Sequence, residues 1–199
     1  EAQTNILDIG CGEGRLLAMF SEGNLFGTDI SEGYLLKASR GEAELCKARV
    51  EDLPYKKEIF DLVTCTDVLE HVFDLNAAIR EIFRVLKPTG KLVIRVPYRE
   101  DLSLYLSDKF NYQFGHIRNF DENGLRLLFE KVFLAKVCHV AFGPYLIAPV
   151  YLKYGFRFRG LSFLLRLLDK FIERFSPELK LKIIRSYFWP VEIHLVISK

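Results

Sequence analysis

The sequence predicts an α/β fold built around a parallel sheet, on three observations. Short β-rich runs alternate with helical patterns through the first hundred residues, the signature of βαβ units. A glycine-rich turn, "DIGCGEG" at 8–14, follows the first of those runs. An acid, Asp29, closes the second. At 199 residues the chain buries one substantial core and is expected to form one domain with an insertion.

Strands are expected at 5–9 (NILDI), 24–29 (NLFGTD), 45–50 (LCKARV), 60–66 (FDLVTCT) and 90–97 (GKLVIRVP), with helices between them and a helix starting at the glycine turn. The clearest helix spans 75–86. There Leu75, Ala78, Ile79, Ile82, Phe83 and Leu86 follow i, i+3, i+4 spacing behind Asp74 as N-cap, and Pro88 and Gly90 end it. Another opens at the cap Asp121, with Phe120 and Leu125 placed as a hydrophobic staple, and runs to about Lys131. The run 132–142 (VFLAKVCHVAF) and the last ten residues read as strands.

Nearly fifty residues separate those last two strands, too many for a simple connection. Within them "LSFLLRLLDKFIERF" at 161–175 is amphipathic, with Leu161, Leu164, Leu165, Leu168, Phe171, Ile172 and Phe175 on one face. The chain therefore divides into a core at 1–142, a helical cap at 143–188 and a final core strand at 189–199.

Charge is uneven. Residues 1–100 carry 13 Lys+Arg against 17 Asp+Glu, residues 101–199 carry 15 against 9, and the stretch 151–185 holds 9 basic and 3 acidic residues. Arg157, Arg159, Arg166, Lys170 and Arg174 in this stretch are suited to anionic lipid or to a phosphate-bearing, lipid-linked substrate. They alternate with aliphatic residues rather than forming an aromatic platform, which argues against nucleic acid. The sequence has no run near the roughly 20 apolar residues that span a bilayer and no signal peptide, so a cytoplasmic or membrane-peripheral protein is expected. Cys11, Cys46, Cys65 and Cys138 lack C-x-x-C pairing and read as reduced packing thiols.

A strand, a glycine turn and a helix start together present unpaired N–H groups to an anion. The dinucleotide fingerprint G-x-G-x-x-G needs a third glycine for close packing. Gly10 and Gly12 match it, but Arg15 holds the third place. Asp8 and Glu13 would also repel a diphosphate. S-adenosylmethionine carries a sulfonium and an ammonium with only one carboxylate, and suits such acids better. Asp29 is placed for a ribose diol in either case.

"LDIGCGEG", "LFGTDIS" and "VEDLPYKKEIFDLVTCTDVLEHVFDLNAAIREIFRVLKPTGKLVIRVPY" resemble the successive motifs of class I S-adenosylmethionine-dependent methyltransferases of the small-molecule type, over roughly residues 5–135 and the final strand. The resemblance implies a Rossmann-like, seven-stranded, mostly parallel sheet with helices on both faces and an antiparallel last strand beside the fifth. It implies that Gly10, Gly12 and Gly14 meet the methionine part, Asp29 the ribose, "VEDLPY" the adenine, and Thr66–Leu69 the cofactor's flank. The expected cofactor-binding residues are Asp8, Gly10, Cys11, Gly12, Gly14, Asp29, Ile30, Glu51, Asp52, Leu53, Thr66, Asp67 and Val68.

There are departures. Many relatives carry an Asp where this chain has Arg49, so a backbone group, Glu51 or Asp52 takes over adenine recognition or that recognition loosens. "KPTG" replaces the usual "KPGG". The chain starts almost on the first strand, where relatives have a helix before it; either the chain is a fragment or its site is unusually open.

For the acceptor, His116 and His71 are the candidate bases, each with a structural alternative. Tyr98, Arg99, Tyr105 and Tyr112 are candidates to line the substrate pocket, with Arg118 as an anion clamp. His139 and His194 read as structural. No Asp/Glu/His cluster stands at ligand spacing in the sequence, so no metal is expected. The expected reaction is methyl transfer to a small molecule, to oxygen before nitrogen or carbon. An NAD-dependent oxidoreductase and a non-catalytic binding protein are the rivals.

Overall fold

The computed structural model describes residues 3–38, 43–106, 115–146 and 189–199. Seven strands form one sheet: β1 (Asn5–Ile9), β2 (Asn24–Asp29), β3 (Glu44–Lys47), β4 (Phe60–Thr66), β5 (Leu86–Pro97), β6 (Lys136–Leu146) and β7 (Trp189–Ser198). Their order is β3-β2-β1-β4-β5-β7-β6. The first five pair in parallel, and β7 runs antiparallel to both β5 and β6. This is the Rossmann-like sheet expected, with its antiparallel strand beside the fifth.

The apolar runs become the centre of the sheet. Leu7, Val63, Cys65, Leu92, Ile94, Val96, Ile193, Leu195 and Ile197 are all fully buried. Helix α2 (Leu75–Val85) presents Ala78, Ile79, Ile82 and Phe83 to this core. Its first turn is closed as the sequence predicts, the Asp74 carboxylate accepting from the Ala77 N–H at 2.9 Å. Asp121 does the same for α3 (Glu122–Arg126) through Gly124 N–H at 2.7 Å, with Phe120 and Leu125 buried beside it.

Five expectations are corrected. The fifth strand, expected from Gly90, starts directly after α2 at Leu86, so Pro88 and Gly90 lie within it. The glycine turn leads into a series of turns and one 3₁₀ turn, Leu17–Met19, not into an α-helix. The short α1 (Glu32–Leu35) follows β2. β3 ends at Lys47, because after it Arg49 and Asp52 pair across a tight turn. The strand expected from Val132 starts at Lys136: α3 continues as a π-helical turn, Leu127–Val132, and Leu134 reverses the chain with φ 54°. That strand also runs past Phe142 to Leu146. The amphipathic stretch 161–175 and the basic residues of 157–174 lie outside the described residues. Among the described residues no helix is long and apolar enough to cross a membrane.

All four thiols are free. Cys11 and Cys65 are buried, Cys46 lies 3.4 Å from the Tyr55 hydroxyl, and Cys138, read as a packing thiol, is exposed.

Candidate active site

In β3-β2-β1-β4-β5 the chain runs outward from β1 in one direction and then resumes on its other side with β4. Ligands of open α/β sheets bind at such a switch, beyond the carboxyl ends of the strands. A cleft of about 860 Å³ opens there, lined by residues that follow β1, β2, β3 and β4. That volume is ample for a cofactor with its partner substrate.

The floor is the glycine turn. Gly10 (φ 74°) and Gly12 (φ 53°) both sit in the left-handed region that L side chains avoid. A Cβ on Gly10 would fall 2.2 Å from Val68 Cγ2, so only hydrogen fits between β1 and β4. A Cβ on Gly12 would meet nothing within 4 Å, which leaves the backbone open to a close ligand. The turn is pinned from β2: one Asp29 oxygen accepts from Gly12 N–H at 2.8 Å and the other from Ser31 N–H at 2.7 Å. Each oxygen keeps a lone pair for a hydroxyl donor.

Asp8 also lines the cleft, but it neither holds the turn nor lies open. It is buried and accepts from the Thr64 hydroxyl at 2.7 Å. Burial pushes its carboxyl up to about 6, against the Thr64 bond and assisted by the nearby Asp29. Cys11 lines the cleft with its thiol pushed up to about 12, first by burial and then by Asp8 and Asp29. Glu13, the other acid of the turn, pairs with Arg15 and is not among the lining residues. These groups fit S-adenosylmethionine: two acids for cationic and hydroxyl donors, and an unobstructed glycine backbone between them.

Ile30, Glu51, Thr66, Asp67 and Val68 also line the cleft. Arg49 does so too, its guanidinium 3.2 Å from Glu51, so this wall of the cleft carries an ion pair. Gly14, Asp52 and Leu53 are not brought to it. Gly14 borders a separate hollow of about 240 Å³, Asp52 is exposed on its turn, and Leu53 is buried with its N–H donated to Glu81.

On the acceptor side the structure sorts the candidates. His71 lines the cleft, and His116 meets it edge to face with ring centroids 4.7 Å apart. Burial and His116 hold the His71 imidazole below its usual range. Tyr98 and Arg99 turn away. Tyr98 packs on Phe142 at 5.0 Å, and Arg99, with φ 51°, lies over the Tyr98 ring. Arg118 donates through Nε to Val72 O at 2.9 Å and through a second nitrogen to Phe73 O, so it fastens the 72–73 loop rather than clamping an anion. Tyr105 donates to Glu100 at 2.6 Å, next to His116. His194 stands 3.5 Å from Glu192 in β7. Tyr112 lies outside the described residues.

Sequence reading missed Arg95, which lines the cleft and ion-pairs with Asp67. It missed Glu70 as well, fully buried directly before His71 and pushed up to about 7, chiefly by burial with Asp67 nearby. The expectation of no metal rested on spacing along the chain. Folding removes that ground, because a ligand atom of Glu70, of His71 and of His116 all lie within 4.8 Å of one another. The only sequence cue was the "EH" pair; burial and the approach of His116 are tertiary.

Comparison with known proteins agrees with this geometry. A methyltransferase domain family model matches residues 7–94. An uncharacterised protein of Methanocaldococcus jannaschii is 35% identical over 130 residues, 63% of this chain and 56% of that one. A ubiquinone/menaquinone biosynthesis C-methyltransferase of Vibrio cholerae is 34% identical over 146 residues, 64% of this chain and 56% of its own length. The chain thus spans about half the length of these curated relatives. In fold it is similar to a SAM-dependent methyltransferase from Archaeoglobus fulgidus, with TM-score 0.66 and 18% identity over 100% of this chain and 87% of that one. The glycine turn and the acid at the end of β2 thus lie within the stretch that matches a methyltransferase domain, on a sheet similar in fold to that of a SAM-dependent methyltransferase.

Proposed function

We propose that the chain transfers the methyl group of S-adenosylmethionine to a small molecule, at an oxygen atom. One observation carries the reading: Asp29 fixes Gly12 N–H at 2.8 Å over an open backbone, at the switch point of the sheet, within a cleft that Asp8 also lines. Bound S-adenosylmethionine supplies a methyl already activated by its sulfonium. The protein's task is alignment of the acceptor and exclusion of water.

Gly10 and Gly12 would hold the methionine part, Asp29 the ribose hydroxyls, and the wall of Arg49 and Glu51 would flank the adenine. The rest of the cleft, from Thr66 to His71 with Arg95, is left for the acceptor. His71 and His116 meet at that end, which supports loss of a hydroxyl proton there. A basic 157–174 stretch supports an anionic or lipid-linked acceptor. Carbon methylation is the second reading, favoured by the printed activity of the Vibrio relative.

Titration calorimetry tests the donor. S-adenosylhomocysteine binds and NADH does not; binding of NADH alone overturns the assignment. Incubation with methyl-labelled S-adenosylmethionine and cell extract then yields a labelled small molecule. Its carbon NMR shift distinguishes methoxy from C-methyl.

A further inference from the structure

We propose that Glu70, His71 and His116 bind a divalent transition metal ion of the zinc or iron class, with coordination positions left open towards the cleft. Glu70 is 0% exposed and, among the described residues, neither of its carboxylate oxygens has a hydrogen-bond partner. An unpartnered buried carboxyl is costly, and in a native fold it calls for a partner of opposite charge or a donor. What faces it is His116, whose Nε2 lies 4.0 Å from Glu70 Oε1.

The partners of its other nitrogen decide what that imidazole can offer. His116 Nδ1 bonds Glu100 Oε2, while the other Glu100 oxygen accepts from Tyr105 at 2.6 Å. A carboxylate accepts, so His116 carries its proton on Nδ1 and turns the Nε2 lone pair towards Glu70. His71 repeats the arrangement. Its Nδ1 is 3.3 Å from the Gly115 carbonyl, which only accepts, so its Nε2 also keeps a lone pair. One ligand atom of each of the three residues lies within 4.8 Å of the others. A cation between them resolves the conflict.

Ligating histidines characteristically donate their second nitrogen to a carboxylate or a backbone carbonyl, and here one does each. Two imidazoles with one carboxylate suit zinc, iron or their neighbours rather than the all-oxygen shells of magnesium or calcium. Ligands on one such ion stand at most about 4.2 Å apart, twice a metal–nitrogen bond of about 2.1 Å, so a small contraction closes the trio. Three protein ligands leave at least one position free. Since His71 borders the cleft, that position would take an oxygen of the acceptor and lower the pKa of its hydroxyl. This last role rests on the methyl-transfer reading; the metal site does not.

The test uses the full chain, freed of metal by chelation. Calorimetry with Zn²⁺ and visible absorption with Co²⁺ should show one ion per chain. His116→Ala should abolish uptake, and Glu100→Gln, which alters only the partner of His116 Nδ1, should weaken it about 10- to 100-fold. Retained S-adenosylhomocysteine binding in both variants shows that they are folded. No uptake of either ion by the unaltered chain overturns the site, as does uptake unchanged in both variants. Zinc uptake by a chain that fails to bind S-adenosylhomocysteine would support the site while overturning the methyl-transfer reading.

Discussion

Asp29 holds the glycine turn with one carboxylate oxygen and the chain after β2 with the other, and in the proposed function its remaining lone pairs are left for the ribose. Asp29→Ala is expected to weaken S-adenosylhomocysteine binding at least about tenfold, since charge-assisted bonds are the strong ones and the Gly12 N–H loses its anchor. Gly10→Ala meets two obstacles at once, a φ of 74° and a contact of 2.2 Å with Val68. A loss of about 2–4 kcal/mol in urea unfolding is expected. Asp8 makes stability depend on pH. Its carboxyl sits at about 6 in the fold against 3.8 when unperturbed. The folded chain thus keeps a proton that the unfolded chain releases, and this contribution is present below about pH 4 and lost as pH rises through 6. It amounts to at most about 3 kcal/mol. Asp8→Asn should flatten that part of the stability profile measured by denaturant titration between pH 4 and 7. The placement of Asp29 and Gly10 at the cleft was readable because each sits in its own motif. That of Glu70 was not, because what marks it is a buried carboxylate without a partner among the described residues.

At the level of elements, the strongest local patterns translated directly. The strands β1, β2 and β4 and helix α2 stand within a residue of their expected bounds, because period, cap and breaker agreed in each. Asp74→Ala removes the α2 cap and should cost about 1 kcal/mol, read as a fall in thermal midpoint, with cofactor binding unchanged. The failures came where two periods look alike. "VFL" at 132–134 is as apolar as a strand, yet Val132 closes a π-helical turn and Phe133 packs against the core. A short apolar run does not distinguish a helix end from a buried strand. The glycine turn likewise suggested a helix that the following residues spend as turns, with one α-type bond from Ala18 N–H to Gly14 O at 3.0 Å.

The whole molecule is organised by one sheet, and its two halves differ in kind. The half from β3 to β4 carries the glycine turn and most of the cleft's lining, while β5, β7 and β6 are joined through the antiparallel strand. Topology of this sort was legible only through the resemblance of motifs, since nothing in the last ten residues says which neighbours they choose. Among the described residues strand β6 pairs with β7 alone. A chain ending at 188 should therefore leave β6 unpaired and β5 with a bare edge, and should elute as aggregate in size exclusion. Supplying residues 189–199 as a peptide should restore monodisperse protein.

That placement sets a constraint on biosynthesis. β7 is interior to the sheet yet follows every other described strand along the chain, after the span 147–188. While those residues are still being translated, the nascent protein has its cofactor half ready to form and its other half open along β5. Closure of this sheet waits until the segment 189–198 clears the exit tunnel, because β7 pairs with β5 on one side and with β6 on the other. Late, long-range pairing of this kind is slow, and a chaperone that shields β5 in the interval would raise the yield of folded chain.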